Sequence, residues 1–130
     1  MSTQQIVSEA IEPILIHAPI AGAVIPLELV PDPVFAEKMV GDGISIDPVE
    51  NILRAPFNGE VIQLPASGHA LTVRAENGLE VLMHIGIDTV LLKGEGFKPM
   101  VKIGDHVVQG QPLIEFDADF IAQNAKSLMT

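Results

Sequence analysis

The dipeptide Asn77-Gly78, placed between two runs rich in β-branched residues, constrains the fold of this chain more than any other feature. Asn-Gly is the strongest short-range signal for a two-residue type I′ hairpin turn, because both central residues need positive φ. Such a turn places Leu71 opposite His84, and His69 then lies on the same face as the diagonal neighbour of His84. We predict that the two imidazole rings share one patch.

This prediction depends on the length of the loop. A three-residue loop would shift the pairing by one residue and place the two rings on opposite faces. With the two-residue turn, the apolar side chains of Leu71 and Leu82 lie beside the histidines. Neither face of the hairpin is clearly apolar, so two interpretations of His84 stay open. It is either a core histidine bonded to a backbone carbonyl or a reactive group in an apolar docking site.

Short β-branched runs broken by Pro and Gly continue through the chain, and they predict strands over residues 14–16, 23–27, 44–46, 51–54, 60–64, 69–75, 79–85, 98–101, 106–108 and 113–116. No helical pattern of ten or more residues separates them, which favours an all-β antiparallel sandwich over βαβ units. Asp32-Pro33 predicts a short helix closed by Gly41, and Asp117 predicts a C-terminal helix over residues 118–128. We expect residues 1–13 to form a loose tail and residues 14–130 to form a single domain.

A weak internal repeat supports this architecture. The segments over residues 18–27 and 55–64 share the pattern Ala-Pro-x-x-Gly-x-Val-Ile-x-Leu, and Gly41-Asp42 is echoed by Gly104-Asp105. Each Ala-Pro-x-x-Gly segment is typical of a turn leading into a strand. We therefore predict duplicated half-motifs within the sandwich.

Composition excludes several classes of function. The 130 residues carry 7 Lys and Arg against 17 Asp and Glu, a formal charge of −10, which argues against nucleic acid and favours a basic protein surface as partner. Without cysteine there is no thiolate nucleophile and no Cys-type zinc site. The sequence has no secretory signal and no apolar run long enough to insert into a membrane, so we expect a cytoplasmic protein.

Two neighbouring imidazoles suit phosphoryl transfer, because a neutral imidazole is a nitrogen nucleophile near neutral pH and can attack phosphorus. The second ring, that of His69, would donate a hydrogen bond to the phosphoryl oxygens. Two histidines with Asp88 as a third ligand could also hold zinc, but the sequence has no H-x-H or H-E-x-x-H cluster. We predict no cofactor and no dedicated metal site, with adventitious zinc at His69 and His84 as the remaining metal role.

Three segments carry a resemblance to a known family: residues 30–43 (VPDPVFAEKMVGDG), residues 68–70 (GHA) and above all residues 81–97 (VLMHIGIDTVLLKGEGF). The chain resembles the glucose-type IIA domain of the bacterial phosphoenolpyruvate-dependent sugar phosphotransferase system from Ile16 to Leu128. This resemblance implies an antiparallel β-sandwich in which a shallow apolar depression holds both histidines.

The resemblance also implies a role for each residue of the depression. His84 matches the histidine whose Nε2 accepts a phosphoryl group from the carrier HPr and passes it to the IIB domain of a sugar permease. His69 matches the supporting histidine, and Ser67 takes the place of a threonine whose hydroxyl bonds to that ring. Gly86 matches the residue whose carbonyl orients His84 through Nδ1.

Docking residues follow from the same resemblance. Asp32 and Asp88 match carboxylates that meet an arginine of the carrier. The apolar rim matches Val34, Phe35, Met39, Val40 and Val90. The long basic tail by which some family members attach to membranes has no counterpart here, so we expect no direct membrane insertion.

Two other functions stay open. A biotinyl- or lipoyl-type carrier has half-motifs similar to those around Gly22 and Gly104, with Lys38 as the modified residue, but Lys38 precedes the Gly-Asp element that it should follow. A regulatory protein could use the same apolar depression to bind other proteins without chemistry.

Overall fold

A computed structural model of the protein describes residues 13–130. Within this range the chain forms nine strands: β1 (Gly22–Pro26), β2 (Ile44–Pro48), β3 (Ile52–Arg54), β4 (Gly59–Gln63), β5 (Ala70–Ala75), β6 (Glu80–His84), β7 (Phe97–Pro99), β8 (His106–Val107) and β9 (Pro112–Phe116). It also forms the helices α1 (Pro33–Ala36) and α2 (Ala118–Asn124), and the 3-10 turns Leu27–Leu29 and Thr89–Leu92. Except for Pro13, the predicted N-terminal tail lies outside the described residues.

The strands form antiparallel sheets in the orders β1-β2, β3-β9-β7 and β6-β5-β4-β8. The prediction of an all-β antiparallel sandwich with a short C-terminal helix is therefore confirmed. Apolar side chains from all three sheets meet in one core, whose largest fully buried members are Ile20, Leu53, Leu71, Ile85, Leu113, Ile114 and Ile121.

The internal repeat corresponds to two similar strand pairs. Gly22 begins β1, which pairs with β2, and Gly59 begins β4, which pairs with β8. A Cβ atom at either glycine would overlap a carbonyl oxygen of an antiparallel neighbour, at 2.1 Å for Gly22 and 2.4 Å for Gly59. The neighbour is β2 for Gly22 and β5 for Gly59, so both glycines allow a close approach of two backbones, but the strands that they approach are not equivalent in the repeat.

The two copies also bond to each other reciprocally. His17 N–H donates to the Pro56 carbonyl at 2.9 Å, and Arg54 N–H donates to the Pro19 carbonyl at 2.8 Å. His17 and Pro19 occupy the places in the first copy that Arg54 and Pro56 occupy in the second. The half-motifs are therefore related by an approximate two-fold exchange of backbone hydrogen bonds.

The predicted register of the β5–β6 hairpin is wrong by one residue. Leu71 pairs with Met83 rather than with His84, and Ala70 pairs with His84. The loop has three residues, 76–78, of which only Gly78 has positive φ, at 91°. Gly78 N–H donates to the Ala75 carbonyl at 3.0 Å, so the loop is a tight turn followed by a left-handed glycine, as in a three-residue hairpin.

Three further elements differ from the predictions. Helix α1 ends at Ala36 rather than continuing to Gly41, and residues 37–40 form turns. Residues 14–16 form no strand and join no sheet, and Leu15 is 73% exposed. Helix α2 ends at Asn124 rather than at residue 128, because Ala125 is extended and Ser127 forms a β-bridge with Ile87. Both helices begin at the predicted N-caps, with Asp32 accepting from Val34 N–H and the Asp117 carboxylate accepting from Phe120 N–H.

Candidate functional site

The ring of His84 is fixed by the turn that follows β6. Nδ1 of His84 lies 2.8 Å from the carbonyl oxygen of Gly86. A carbonyl can only accept, so Nδ1 carries the proton and Nε2 of a neutral ring keeps a free lone pair. Gly86 adopts φ of +72°, which turns the chain so that this carbonyl lies beside the ring two residues earlier.

His69 reaches the same place by a different route. It lies at a bend just before β5, after Gly68 with φ of +69°, so the alternation of the strand does not determine its direction. The ring centroids of His69 and His84 are 4.9 Å apart in an edge-on arrangement. The two rings therefore meet as predicted, but through this bend and not through the predicted register.

A serine hydroxyl holds the far side of the His69 ring. The Ser67 hydroxyl oxygen lies 2.5 Å from Nδ1 of His69. If the hydroxyl donates this bond, the proton of the neutral ring is on Nε2, where it can serve as a donor toward the neighbouring ring and its substituents. His69 is 6% exposed, whereas His84 is only half-buried, so His84 is the ring that a partner reaches more easily.

Helix α1 covers another side of His84. The ring of Phe35 lies 5.0 Å from the His84 ring between centroids. Phe35 also packs on a small cluster of buried residues, Leu27, Val30 and Ile87. Because Ile87 belongs to the turn beyond Gly86, this cluster ties the helix to the turn that orients His84.

Burial keeps both imidazoles neutral. Desolvation lowers the pKa of His69, and the neighbouring His84 lowers it further. Desolvation also lowers the pKa of His84, while the Gly86 carbonyl, Asp32 and Asp88 oppose that shift. Near neutral pH the free lone pair of His84 is therefore available as a nucleophile.

The apolar residues predicted for the docking rim are open to solvent. Val34, Met39, Val40, Leu82 and Val90 are all substantially exposed, up to 70% for Met39. Nearby, Lys38 forms ion pairs with Glu28 and Asp42, both at 3.4 Å. These exposed pairs contribute little stability, but they tie together the two ends of the loop that carries Met39 and Val40.

Comparison with known families identifies the family of this chain. The model of the family described as phosphoenolpyruvate-dependent sugar phosphotransferase system, EIIA 1, matches residues 14–130. The chain belongs to this family. It is therefore a phosphocarrier domain of the sugar phosphotransferase system, and the comparisons give no support to a biotinyl- or lipoyl-type carrier.

A solved structure of an EIIA relative has the same fold. The glucose permease IIA from Mycoplasma capricolum superposes with a TM-score of 0.87 at 36% sequence identity, over 89% of this chain and 75% of that one. EIIA domains in general act as phosphotransferase components that interact with HPr and with IIB domains of sugar permeases. The acidic balance of the chain fits a basic partner surface.

The structure brings together the central residues predicted for an EIIA site, His84, His69, Ser67 and Gly86. Phe35 touches the site directly. Leu71 is a correction to the predicted docking set, because its side chain is 0% exposed and packs in the core beside Met83. The register error placed it on the wrong face.

Phe97 and Thr89 belong to the surroundings of the EIIA site but were not predicted from the sequence. The Phe97 ring stands edge-on to His69 at 6.4 Å between centroids, and Thr89 is fully buried beside Gly86. The Gly-x-Gly sequence before Phe97 was a usable signal for a tight loop, because Gly94 and Gly96 both adopt positive φ. This loop returns to the site, since a Cβ atom on Gly94 would lie 3.5 Å from the Ser67 carbonyl oxygen.

Metal and membrane features can be assessed over residues 13–130. No group of three or more His, Cys, Asp or Glu side chains in this range could hold a metal ion, so Asp88 does not complete a zinc site with the two histidines. In the same range, no helix has the length and apolar character needed to span a bilayer.

Proposed function

We propose that His84 is the phosphoryl acceptor of this domain and that Nε2 is the reacting atom. The observation that supports this most is the hydrogen bond from His84 Nδ1 to the Gly86 carbonyl, which leaves the lone pair on Nε2. In the proposed step, Nε2 forms a bond to phosphorus while the bond from phosphorus to the carrier's histidine nitrogen breaks. The proton stays on Nδ1 throughout, hydrogen-bonded to the Gly86 carbonyl.

His69 supports the transferred group in this proposal. Its Nε2–H, available when Ser67 donates to Nδ1, would bond to a phosphoryl oxygen and stabilise the developing charge. The centroid separation of 4.9 Å leaves the two rings adjacent without a bond between them in the structure. This adjacency supports a role for His69 in onward transfer, in which the phosphoryl group moves from His84 to a IIB domain.

We infer that HPr and the IIB domain use the same exposed apolar rim around His84. Val34, Met39, Val40, Leu82 and Val90 supply the rim, and Asp32 and Asp88 supply negative charge close enough to raise the pKa of His84. An apolar centre with charged margins is typical of transient protein interfaces. A regulatory protein docking on this rim would compete with HPr.

Phosphotransfer from phosphoenolpyruvate through purified upstream proteins tests the assignment. We expect wild-type protein to gain one acid-labile phosphoryl group and His84→Ala to gain none. His69→Gln should still accept the group but donate it to a IIB domain on the order of 100-fold more slowly. Intact mass measures acceptance, and a chase with a IIB domain measures donation.

His106→Ala is the matched control, because His106 is an exposed histidine of β8 in the same fold. It should accept and donate at the wild-type rate. Acid-labile label that persists in His84→Ala would contradict the assignment of the acceptor, and normal donation by His69→Gln would contradict the supporting role.

A further inference from the structure

Thr89 is buried completely next to the turn that orients His84. Its hydroxyl donates to the Ile85 carbonyl at 2.6 Å. Its methyl group faces Gly86, because a Cβ atom built on Gly86 would lie 2.5 Å from Cγ2 of Thr89. Thr89 thus holds the peptide group on the N-terminal side of Gly86 and packs against Gly86 itself.

The peptide group on the other side of Gly86 is held as well. The Gly86 carbonyl and the Ile87 N–H belong to one planar unit. The carbonyl accepts from His84 Nδ1 at 2.8 Å, and the N–H donates to the Ser127 carbonyl at 2.9 Å. Any rotation of this unit would break both bonds, so the direction of the carbonyl depends on how firmly its neighbours hold the turn.

A third bond connects the turn to the second histidine. Ile85 N–H donates to the carbonyl of His69 at 2.9 Å. The peptide groups on both sides of Ile85 are therefore fixed, one by His69 and one by Thr89. Apart from the bond made by His84 itself, only the bond from Thr89 is made by a side chain, so it is the restraint on the turn that a substitution can remove without changing the acceptor ring.

We propose that Thr89 is a positioning residue for the phosphoryl acceptor: its hydroxyl holds the Ile85–Gly86 turn so that the Gly86 carbonyl keeps the His84 proton on Nδ1 and the lone pair on Nε2. This proposal rests on the proposed function of His84. Without the hydroxyl, the Ile85 carbonyl loses its buried partner and the turn relaxes. The weakened Nδ1 bond then lets the ring adopt the other tautomer, whose Nε2–H cannot attack phosphorus.

Thr89→Val removes the hydroxyl and keeps the shape of the side chain. We expect ¹⁵N spectra of its imidazoles to show the protonated nitrogen of His84 shifting from Nδ1 toward a mixture of tautomers. We also expect phosphoryl acceptance to be about 10- to 100-fold slower, since small misplacements of reacting groups cost rates of this order. Thr89→Ser, which keeps the hydroxyl, should restore the wild-type tautomer and most of the rate.

Thr72→Val is the matched control. Thr72 is also buried, at 4% exposure, and its hydroxyl donates to Gln63 rather than to the turn. It should lose stability as Thr89→Val does and leave the His84 tautomer unchanged. Equal losses of stability in both variants, with wild-type ring spectra and rates in Thr89→Val, would overturn the proposal.

Two further results keep the test decisive. If Thr89→Val does not fold, a mixed His84 tautomer in Thr89→Ser would overturn the proposal on its own, because that variant retains the hydroxyl. Wild-type protein is assayed in parallel. A wild type that is never phosphorylated on His84 would refute the proposed function, whereas the ring spectra would still decide whether Thr89 controls the tautomer.

Discussion

At the scale of single residues, the two imidazoles differ in surroundings more than in chemistry. His69 is enclosed by Ser67, Phe97 and the other ring, whereas His84 is only partly buried beside Phe35. Both have a lowered pKa, mainly because burial penalises the charged form. The greater accessibility of His84 supports its proposed role as the acceptor, and the lowered pKa values favour the neutral form of both rings.

The lowered pKa values predict a pH dependence of stability. A histidine with a lower pKa in the folded state binds fewer protons than in the unfolded chain, so its contribution is complete above the unfolded pKa of about 6.5. That stability is lost as the pH falls through 6.5 toward the lowered folded pKa. We expect the free energy of unfolding to fall less between about pH 7.5 and about pH 5.5 in a His69→Gln, His84→Gln double variant than in the wild type.

Urea denaturation at the two pH values measures this slope, and carboxylate titration cancels in the comparison of variant with wild type. His106→Gln, at an exposed site, serves as the control for removing a histidine. Parallel curves for wild type and the double variant would contradict the stated pKa directions.

At the scale of elements, strand β6 has a left-handed glycine beyond each end. Gly78 closes the loop, and a Cβ atom there would meet nothing within 4 Å. Gly86 follows His84, and a Cβ atom there would overlap both Thr89 Cγ2 at 2.5 Å and the Ser127 carbonyl at 2.8 Å. The two positions share a positive φ and differ in their surroundings.

This difference predicts unequal costs for the same substitution. Gly78→Ala should destabilise the fold by about 1–2 kcal/mol from the left-handed conformation alone. Gly86→Ala should cost about 2–4 kcal/mol, because overlap with Thr89 and Ser127 adds to that strain. Equilibrium denaturation gives both values, and equal losses would show that the turn at Gly86 yields without cost.

The hairpin also shows which features of the structure the sequence predicts and which it does not. Asn77-Gly78 correctly predicted a tight turn, but the dipeptide suits both a two-residue and a three-residue loop. Burial could not choose between them, because β5 lies between β4 and β6 and residues 70–73 are all buried, which hides the usual alternation. The meeting of the rings came instead from the bend at His69, which depends on the left-handed Gly68.

Other elements also differ in whether neighbouring residues or distant contacts determine them. Asp32 and Asp117 correctly predicted where the two helices begin, because capping depends only on neighbouring residues. The early end of α2 was not predictable, since it depends on the distant bridge between Ser127 and Ile87. The family resemblance supplied the roles of Ser67 and Gly86, which spacing alone does not give.

At the scale of the whole molecule, net charge bears on how fast partners associate. A formal charge of −10 attracts a basic carrier, and charges within about 10 Å of the contact matter most at 0.1 M salt. Asp88 lies at the site, because it acts on the pKa of His84, and Glu76 lies in the hairpin loop at the other end of β6. Substitutions at these two residues therefore distinguish the effect of charge at the site from the effect of net charge.

Asp88→Asn should raise the apparent KM for the phosphorylated carrier about two- to fivefold at low salt, with a smaller difference at high salt. Asparagine tolerates the positive φ of 59° at this position, so the fold should be retained. Glu76→Gln changes the net charge equally and should leave KM within experimental scatter. Matching increases in the two variants would mean that only total charge matters.

The reciprocal bonds between the two half-motifs have a consequence for the integrity of the chain. His17 N–H is satisfied by the second copy and Arg54 N–H by the first. If a protease separated the two copies, each fragment would lose the acceptor of one backbone N–H. Each copy therefore relies on the other to complete its backbone hydrogen bonding.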